Sequence, residues 1–142
     1  MPAEINFNVQ FITPNVRRWL VKEEPSHYSF EQLQMDGETL WDGVKNNQAL
    51  KYMREMKQGD EVLYYHTGDE KLVVGTAVVS KVQQTEKQPL IYIRGVKTLR
   101  PPVTLAEIKE SGRFANHPLV RQPRLSVMPV DDELWDFITS GR

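Results

Sequence analysis

Glu61-Val62-Leu63-Tyr64-Tyr65-His66-Thr67, then Gly68-Asp69-Glu70-Lys71, then Leu72-Val73-Val74-Gly75-Thr76-Ala77-Val78-Val79-Ser80-Lys81-Val82 is the stretch on which the fold turns. Two runs rich in valine and tyrosine flank four polar, turn-forming residues, the pattern of an antiparallel hairpin. Leu90 to Leu99 supplies a third strand, with Ile91, Ile93 and, on one register, Val96 facing inward. These three strands form the expected sheet core. Side chains alternate across a strand, so of Tyr64 and Tyr65 one should face the core and the other the outside.

Upstream, Trp19-Leu20-Val21 makes a short apolar strand that stops at Lys22-Glu23-Glu24-Pro25. Ser29 and Gln32 have capping-box spacing ahead of Phe30 and Leu33, and Gly37 is a natural helix stop. Leu40-Trp41-Asp42-Gly43 reads as a polar turn, after which Asn46 or Asn47 caps a helix with Ala49, Met53 and Met56 on one stripe and Gly59 at its end. Downstream, Pro101 and Pro102 are expected to end the sheet, and Thr104 with Glu107 to cap a helix that stops near Gly112. Arg124 to Met128 reads as a returning strand, and Asp131 caps a last helix whose inward stripe is Leu134, Trp135 and Ile138, before Gly141. Strands and helices mix without regular βαβ alternation. The class is therefore α+β: a curved, mostly antiparallel sheet or open β-barrel flanked by short helices. Met1 to Val16 has no clean period and is set apart as a leader or loosely attached segment, which leaves 17–142 as one domain.

Composition narrows the function. The chain has 142 residues, no cysteine and a net charge of -1. Disulfides, thiolate metal sites and a cysteine nucleophile are excluded. His27, His66 and His117 are too scattered to mark a metal centre, and no phosphate-binding glycine loop, dinucleotide fingerprint or nucleophile elbow occurs. Any two carboxylates, such as Asp42 with Glu24, can meet in a fold, but no spacing demands it. The reading is non-enzymatic, without metal or cofactor. No run is long and apolar enough to span a membrane, and no charged leader precedes an apolar segment, so the expectation is a soluble intracellular protein, cytoplasmic if bacterial. The near-neutral charge offers no long-range attraction to a polyanion, so any nucleic-acid contact must be local. Two stretches concentrate cations: Lys45 with Lys51, Arg54 and Lys57, and Arg113 with Arg121 and Arg124. They form either a phosphate-contacting face or simply a solvated one.

Several separated blocks carry a resemblance: Trp19 to Pro25, Leu40 to Ala49, Gly59-Asp60 with Tyr64-Tyr65-His66-Thr67, Val74-Gly75, and Arg124-Leu125-Ser126-Val127. In this order they resemble the EVE domain, a PUA-like relative of the YTH readers. The resemblance implies a PUA-like open barrel and recognition of a modified base in DNA or RNA. YTH relatives hold methylated adenine in an aromatic cage, and EVE domains are associated with modified cytosines. Trp41 takes the cage-tryptophan role by this likeness, with Asn46 and Gln48 at the polar positions that follow. The chain departs from the family at Glu23, where serine is frequent, and at Lys45-Asn46-Asn47-Gln48, where Arg-Asn-Tyr-Gln is frequent. Its stretch from Val82 to Leu90 is also shorter than the insertion common in the family.

The same residues support a base site on physical grounds. An unstacked base needs a flat π surface, hydrogen bonds to its edge and cations for the flanking phosphates. Trp41, Asp42, Asn46, Gln48, Tyr65, His66 and Ser126 are the candidate ligand-binding residues, and Lys22, Lys45, Arg121 and Arg124 the candidate phosphate contacts. Each has a structural alternative. Trp41 either stacks a base or plugs the end of the barrel, Asn46 is either a base contact or a helix cap, and Tyr65 with His66 are either ligand contacts or framework. The partner expected is a nucleic acid, through one base, expected to be modified, taken in a cleft beside Trp41 lined by Asn46, Tyr65 and Arg124. A free nucleotide or small-molecule sensor using the same pocket, and a base-modifying enzyme, are the alternatives.

Overall fold

The computed structural model describes residues 16–140. The expected leader, Val16 excepted, and the helix-ending Gly141 lie outside the described residues. Among the described residues six strands and five helices run in the order β1 (Arg18–Glu23), α1 (Phe30–Asp36), β2 (Glu38–Trp41), α2 (Asn47–Glu55), β3 (Glu61–His66), β4 (Leu72–Gln83), β5 (Leu90–Thr104), α3 (Leu105–Glu110), α4 (Pro118–Arg121), β6 (Val127–Pro129) and α5 (Asp132–Thr139). The strands form one sheet ordered β2-β5-β4-β3-β1-β6. Every neighbouring pair is antiparallel except β1 and β3, which run parallel from Arg18 opposite Glu61 to Glu23 opposite His66. Among the described residues no ladder joins β2 to β6, so the sheet is not closed. The class is α+β.

The helix ends follow their local chemistry. Ser29, Asn46, Thr104 and Asp131 each accept a backbone N–H of the first turn, and Thr104 with Glu107 completes a reciprocal capping box. Gly37 ends α1 at φ 82, a left-handed conformation that costs a residue without Cβ nothing. The inward stripes expected for α2 and α5 are buried. Gly75 lets α1 approach the sheet, since a Cβ there would stand 2.4 Å from the Phe30 ring.

Both faces of the sheet are covered. Tyr64 meets the Phe30 ring of α1, and Trp19 meets Tyr52 of α2; on the other face Arg18 lies over Trp135 of α5. This corrects the expectation that one of Tyr64 and Tyr65 faces out. Both are buried, because β3 is an interior strand packed on both sides.

Four further expectations change. Leu40 and Trp41 belong to β2 rather than to a turn, paired with Tyr92 and Ile91. Pro101 and Pro102 do not end β5: Gly75 pairs with Thr98 and Val73 with Val103, so the prolines lie in a bulge, where no ladder N–H is required of them. Val96 is 59% exposed, beside a second register shift. Arg124 precedes the last strand instead of opening it, and the four-residue α4 just before it escaped sequence reading.

Asp60 holds the parallel pair together. Its buried carboxylate accepts from the Trp19 indole N–H at 2.9 Å, the Lys57 N–H at 2.9 Å and the Arg17 N–H at 3.1 Å. Its carbonyl accepts from Val79 and so ties the same corner to β4. Asp60→Ala leaves these donors unmatched and is expected to cost about 3 kcal/mol in urea unfolding, with the fold otherwise retained. A loss below about 1 kcal/mol would show that water substitutes for the carboxylate.

Candidate nucleic-acid interface

Parallel pairing sets the carboxyl ends of β1 and β3 side by side. Lys22 stands opposite Tyr65 and Glu23 opposite His66, and the Thr67 N–H donates to the Glu23 carbonyl at 2.9 Å. Because side chains alternate, Glu23 and Lys22 leave the sheet on opposite faces, and a cavity lies against each.

On the Glu23 face a cleft of about 130 Å³ is bounded by Glu23, His27, Tyr28, Thr39, Trp41 and Asp42. Trp41 closes β2 and is only 5% exposed, with its ring edge-on to Tyr64 at 6.0 Å. This corrects the expectation of an open indole face, for the ring that bounds the cleft is packed on the Tyr64 cluster. Its indole N–H has no hydrogen-bond partner, an uncommon state for a buried donor. Tyr64 is the hub behind it, touching Phe30, Trp41 and His66 and donating its hydroxyl to the Tyr28 carbonyl at 2.8 Å. Burial, with the Glu23 charge adding to it, raises the Tyr64 hydroxyl far above its ordinary pKa, so it remains a donor. Tyr28 donates to Asp36 at 2.6 Å, and burial followed by that bond raises its pKa. His27 pairs with Glu23 at 3.2 Å.

The expected site residues do not converge on Trp41 as a group. Asp42 does line its cleft. Asn46, Gln48 and Arg124 meet instead in a separate depression of about 280 Å³, with Gln122, Pro123 and Leu125. Asn46 spends its side-chain oxygen on the Ala49 N–H at 3.0 Å, as a cap. Lys22 and Tyr65 share a third cavity on the opposite face, and Pro123 borders both it and the depression at Arg124. A cleft lined jointly by Trp41, Asn46, Tyr65 and Arg124 is therefore absent among the described residues, because strand alternation turns Tyr65 away from Trp41.

His66 uses both ring nitrogens in the framework. Nε2 accepts from the Phe30 N–H at 3.0 Å, so Nδ1 carries the proton toward Glu70 at 2.8 Å. Ser126 contributes its carbonyl to the Lys22 N–H at 2.9 Å. Arg121 bonds Asn116 at 3.1 Å, Arg113 is paired with Glu133 at 3.0 Å, and Lys45 is exposed on the loop before α2. Sequence reading missed Glu23, His27, Tyr28 and Thr39 as neighbours of Trp41. Glu23 sits inside a matched block, whereas the others carry no local signal.

A broader concavity of about 800 Å³ next to Arg18 and Trp135 offers little to an anion, since Arg18 is already held by Glu61 and Asp132, each at 2.9 Å. Among the described residues no group of three or more His, Cys, Asp or Glu could hold a metal ion, and no helix is long and apolar enough to cross a membrane.

The sequence pattern of the EVE domain family matches residues 17–141. The chain belongs to this family. Human thymocyte nuclear protein 1 is 26% identical over 162 aligned positions, covering 86% of this chain and 72% of that protein. The alignment is longer than the 142-residue chain itself, so the human protein carries segments that this EVE domain lacks. Among solved structures, Rpa0253 from Rhodopseudomonas palustris is 36% identical with a TM-score of 0.82, covering 89% of this chain and 92% of that one. Human THYN1, solved in complex with 5-methylcytosine-containing DNA, is 26% identical with a TM-score of 0.77, covering 85% of this chain and 94% of that one.

Tyr64→Phe removes the bond that ties the loop carrying His27 and Tyr28 to the aromatic cluster. The expected result is a stability loss of about 1 kcal/mol together with faster amide exchange at His27 and Tyr28. Unchanged exchange there would show that the loop is held by other contacts.

Proposed function

We propose that this EVE domain is a non-enzymatic nucleic-acid reader that takes one modified base, with 5-methylcytosine in DNA the best-supported ligand, into the cleft beside Trp41. The fold we assign is the PUA-like open barrel, as one domain over 17–142. The observation that carries the reading is a cleft bounded by Trp41 and two carboxylates, with the buried indole N–H of Trp41 left without a hydrogen-bond partner. Cytosine presents a donor at its exocyclic amine and acceptors at N3 and O2. Glu23 and Asp42 supply the acceptors that an amine needs, and an indole N–H supplies a donor for a ring acceptor. Leu40, also at the cleft, offers an apolar contact for a 5-methyl group.

The human relative in complex with 5-methylcytosine-containing DNA supports the ligand class. At about 130 Å³ the cleft suits one ring system rather than a drug-sized ligand. Full stacking on Trp41 would require the His27–Tyr28 turn to draw back. That turn is held by two backbone bonds to the Glu24 carbonyl, the His27–Glu23 pair, the Tyr64 hydroxyl on the Tyr28 carbonyl and the Tyr28–Asp36 bond, and drawing it back breaks the contacts made by Tyr28. Exposed Arg124 and Lys45 are the cations we assign to flanking phosphates.

Binding of matched oligonucleotides with cytosine or 5-methylcytosine, followed by fluorescence anisotropy, tests the reading. The methylated strand should bind more tightly, and Trp41→Phe and Asp42→Ala should each weaken it about tenfold, the scale of one base-edge contact. Asp42 is exposed, so its variant separates lost recognition from lost folding. Equal affinity for both strands, or full binding by both variants, overturns the proposal. A free-nucleoside sensor would bind independently of salt, whereas a strand reader loses affinity steeply as salt rises.

A further inference from the structure

The second cavity at the sheet end has a different chemistry. Lys22, Lys71 and Lys109 converge on a space of about 270 Å³ that has no carboxylate among its lining residues. They come from three elements: β1, the hairpin turn after β3, and α3. The Leu105 N–H donates to the Lys71 carbonyl at 2.9 Å, which docks the start of α3 onto that turn and sets Lys109, one helical turn on, at the same mouth. Lys71 itself has φ 50, a left-handed conformation uncommon outside glycine and asparagine.

Lys22 is the anchor. Its stem is half-buried, its ammonium donates to the Pro123 carbonyl at 3.0 Å and lies 5.4 Å from the centre of the Tyr65 ring. An ammonium has three N–H donors, so the Pro123 bond leaves others for a ligand. Burial lowers the Lys22 pKa, a cost that a nearby anion would reverse. Thr67 adds a hydroxyl, and Tyr65, whose pKa burial raises, adds a phenol that stays protonated. Leu105, Leu119 and Pro123 form an apolar wall beside these donors. The Glu24 carboxylate lies against Gly68, one of the lining residues, at the rim.

We propose that this cavity binds a terminal phosphate monoester, carried by a nucleotide or by the end of a nucleic-acid strand, through Lys22, Lys71 and Lys109. Three cations around one space repel one another when it is empty of anion. A monoester, with a charge of roughly -1.5 to -2 and three terminal oxygens, matches that set better than a singly charged carboxylate or backbone diester. The apolar wall then receives the group that carries the phosphate. Because Lys22 and Glu23 point to opposite faces, this site is separate from the Trp41 cleft, and the proposal does not rest on base reading there.

Amide spectra of the full chain, titrated with inorganic phosphate, deoxycytidine 5′-monophosphate and deoxycytidine, test it. Phosphate and the monophosphate should shift Thr67, Lys71 and Leu105 saturably, and deoxycytidine should not. The exposed pair Lys71→Ala/Lys109→Ala should weaken the monophosphate at least about tenfold, the loss of two charge-assisted contacts. Trp41→Phe should leave these shifts intact, which keeps failure of this site distinct from failure of the reader. Competition by a 5′-phosphorylated oligonucleotide but not its 5′-hydroxyl twin assigns the site to strand ends; competition by neither assigns it to free nucleotides, and both results support a phosphate site. Unmoved amides with phosphate, equal response to deoxycytidine, or unchanged affinity in the double variant overturns it.

Discussion

The parallel pairing of β1 with β3 is the constraint on which the rest of this structure depends. A parallel pair cannot be closed by a hairpin and needs a long crossover, here the chain through α1, β2 and α2. The pairing brings two strand ends together with the same polarity, and each then continues into a loop at the same end of the sheet. Asp60 secures the opposite end, where one carboxylate gathers the Trp19 indole and two backbone amides. A buried carboxylate is tolerable because three donors compensate its lost hydration. With the start of the pair clamped, the Lys22–Tyr65 and Glu23–His66 positions at its finish are set in register.

From that register the division of labour follows. Alternation sends Glu23 toward Trp41 and Lys22 toward α3 and α4, so one strand end serves an acceptor-lined cleft and a cation-lined cavity without mixing them. The Tyr64 cluster gives the first a rigid back wall, and the Tyr65 ring with the Pro123 carbonyl gives the second a fixed ammonium. This separation explains how a chain of net charge -1 can offer a concentrated positive site. The chain's 19 acidic residues against 18 basic ones set the total, and apart from Glu24 at the rim none is among the residues described at this cavity.

Local chemistry was highly legible. The hairpin, the caps at Ser29, Thr104 and Asp131 and the buried stripes of α2 and α5 could be read directly, and the α2 cap was narrowed to Asn46 or Asn47, because each depends on neighbouring residues. Reading failed where tertiary context overrode a local rule. Leu40 and Trp41 look like part of a turn but pair with β5; the prolines look like a stop but sit in a bulge that spares their missing N–H; Tyr65 looks half-exposed but is covered by the second helical layer. The candidate site failed for the same reason. Trp41, Asn46, Tyr65 and Arg124 lie in three separate matched blocks, and the fold distributes them among three cavities, with strand alternation turning Tyr65 away from Trp41.

By itself, the sequence determined the class, the number and placement of most elements, and the family resemblance, since propensity, capping and hydrophobic period are local quantities. Only the tertiary structure decided that β1 runs parallel to β3, that Trp41 is packed rather than presented, and that Lys71 and Lys109 join Lys22. Those facts arise from contacts between residues tens of positions apart, whose partners are chosen by packing and by the closing of long loops rather than by any pattern along the chain.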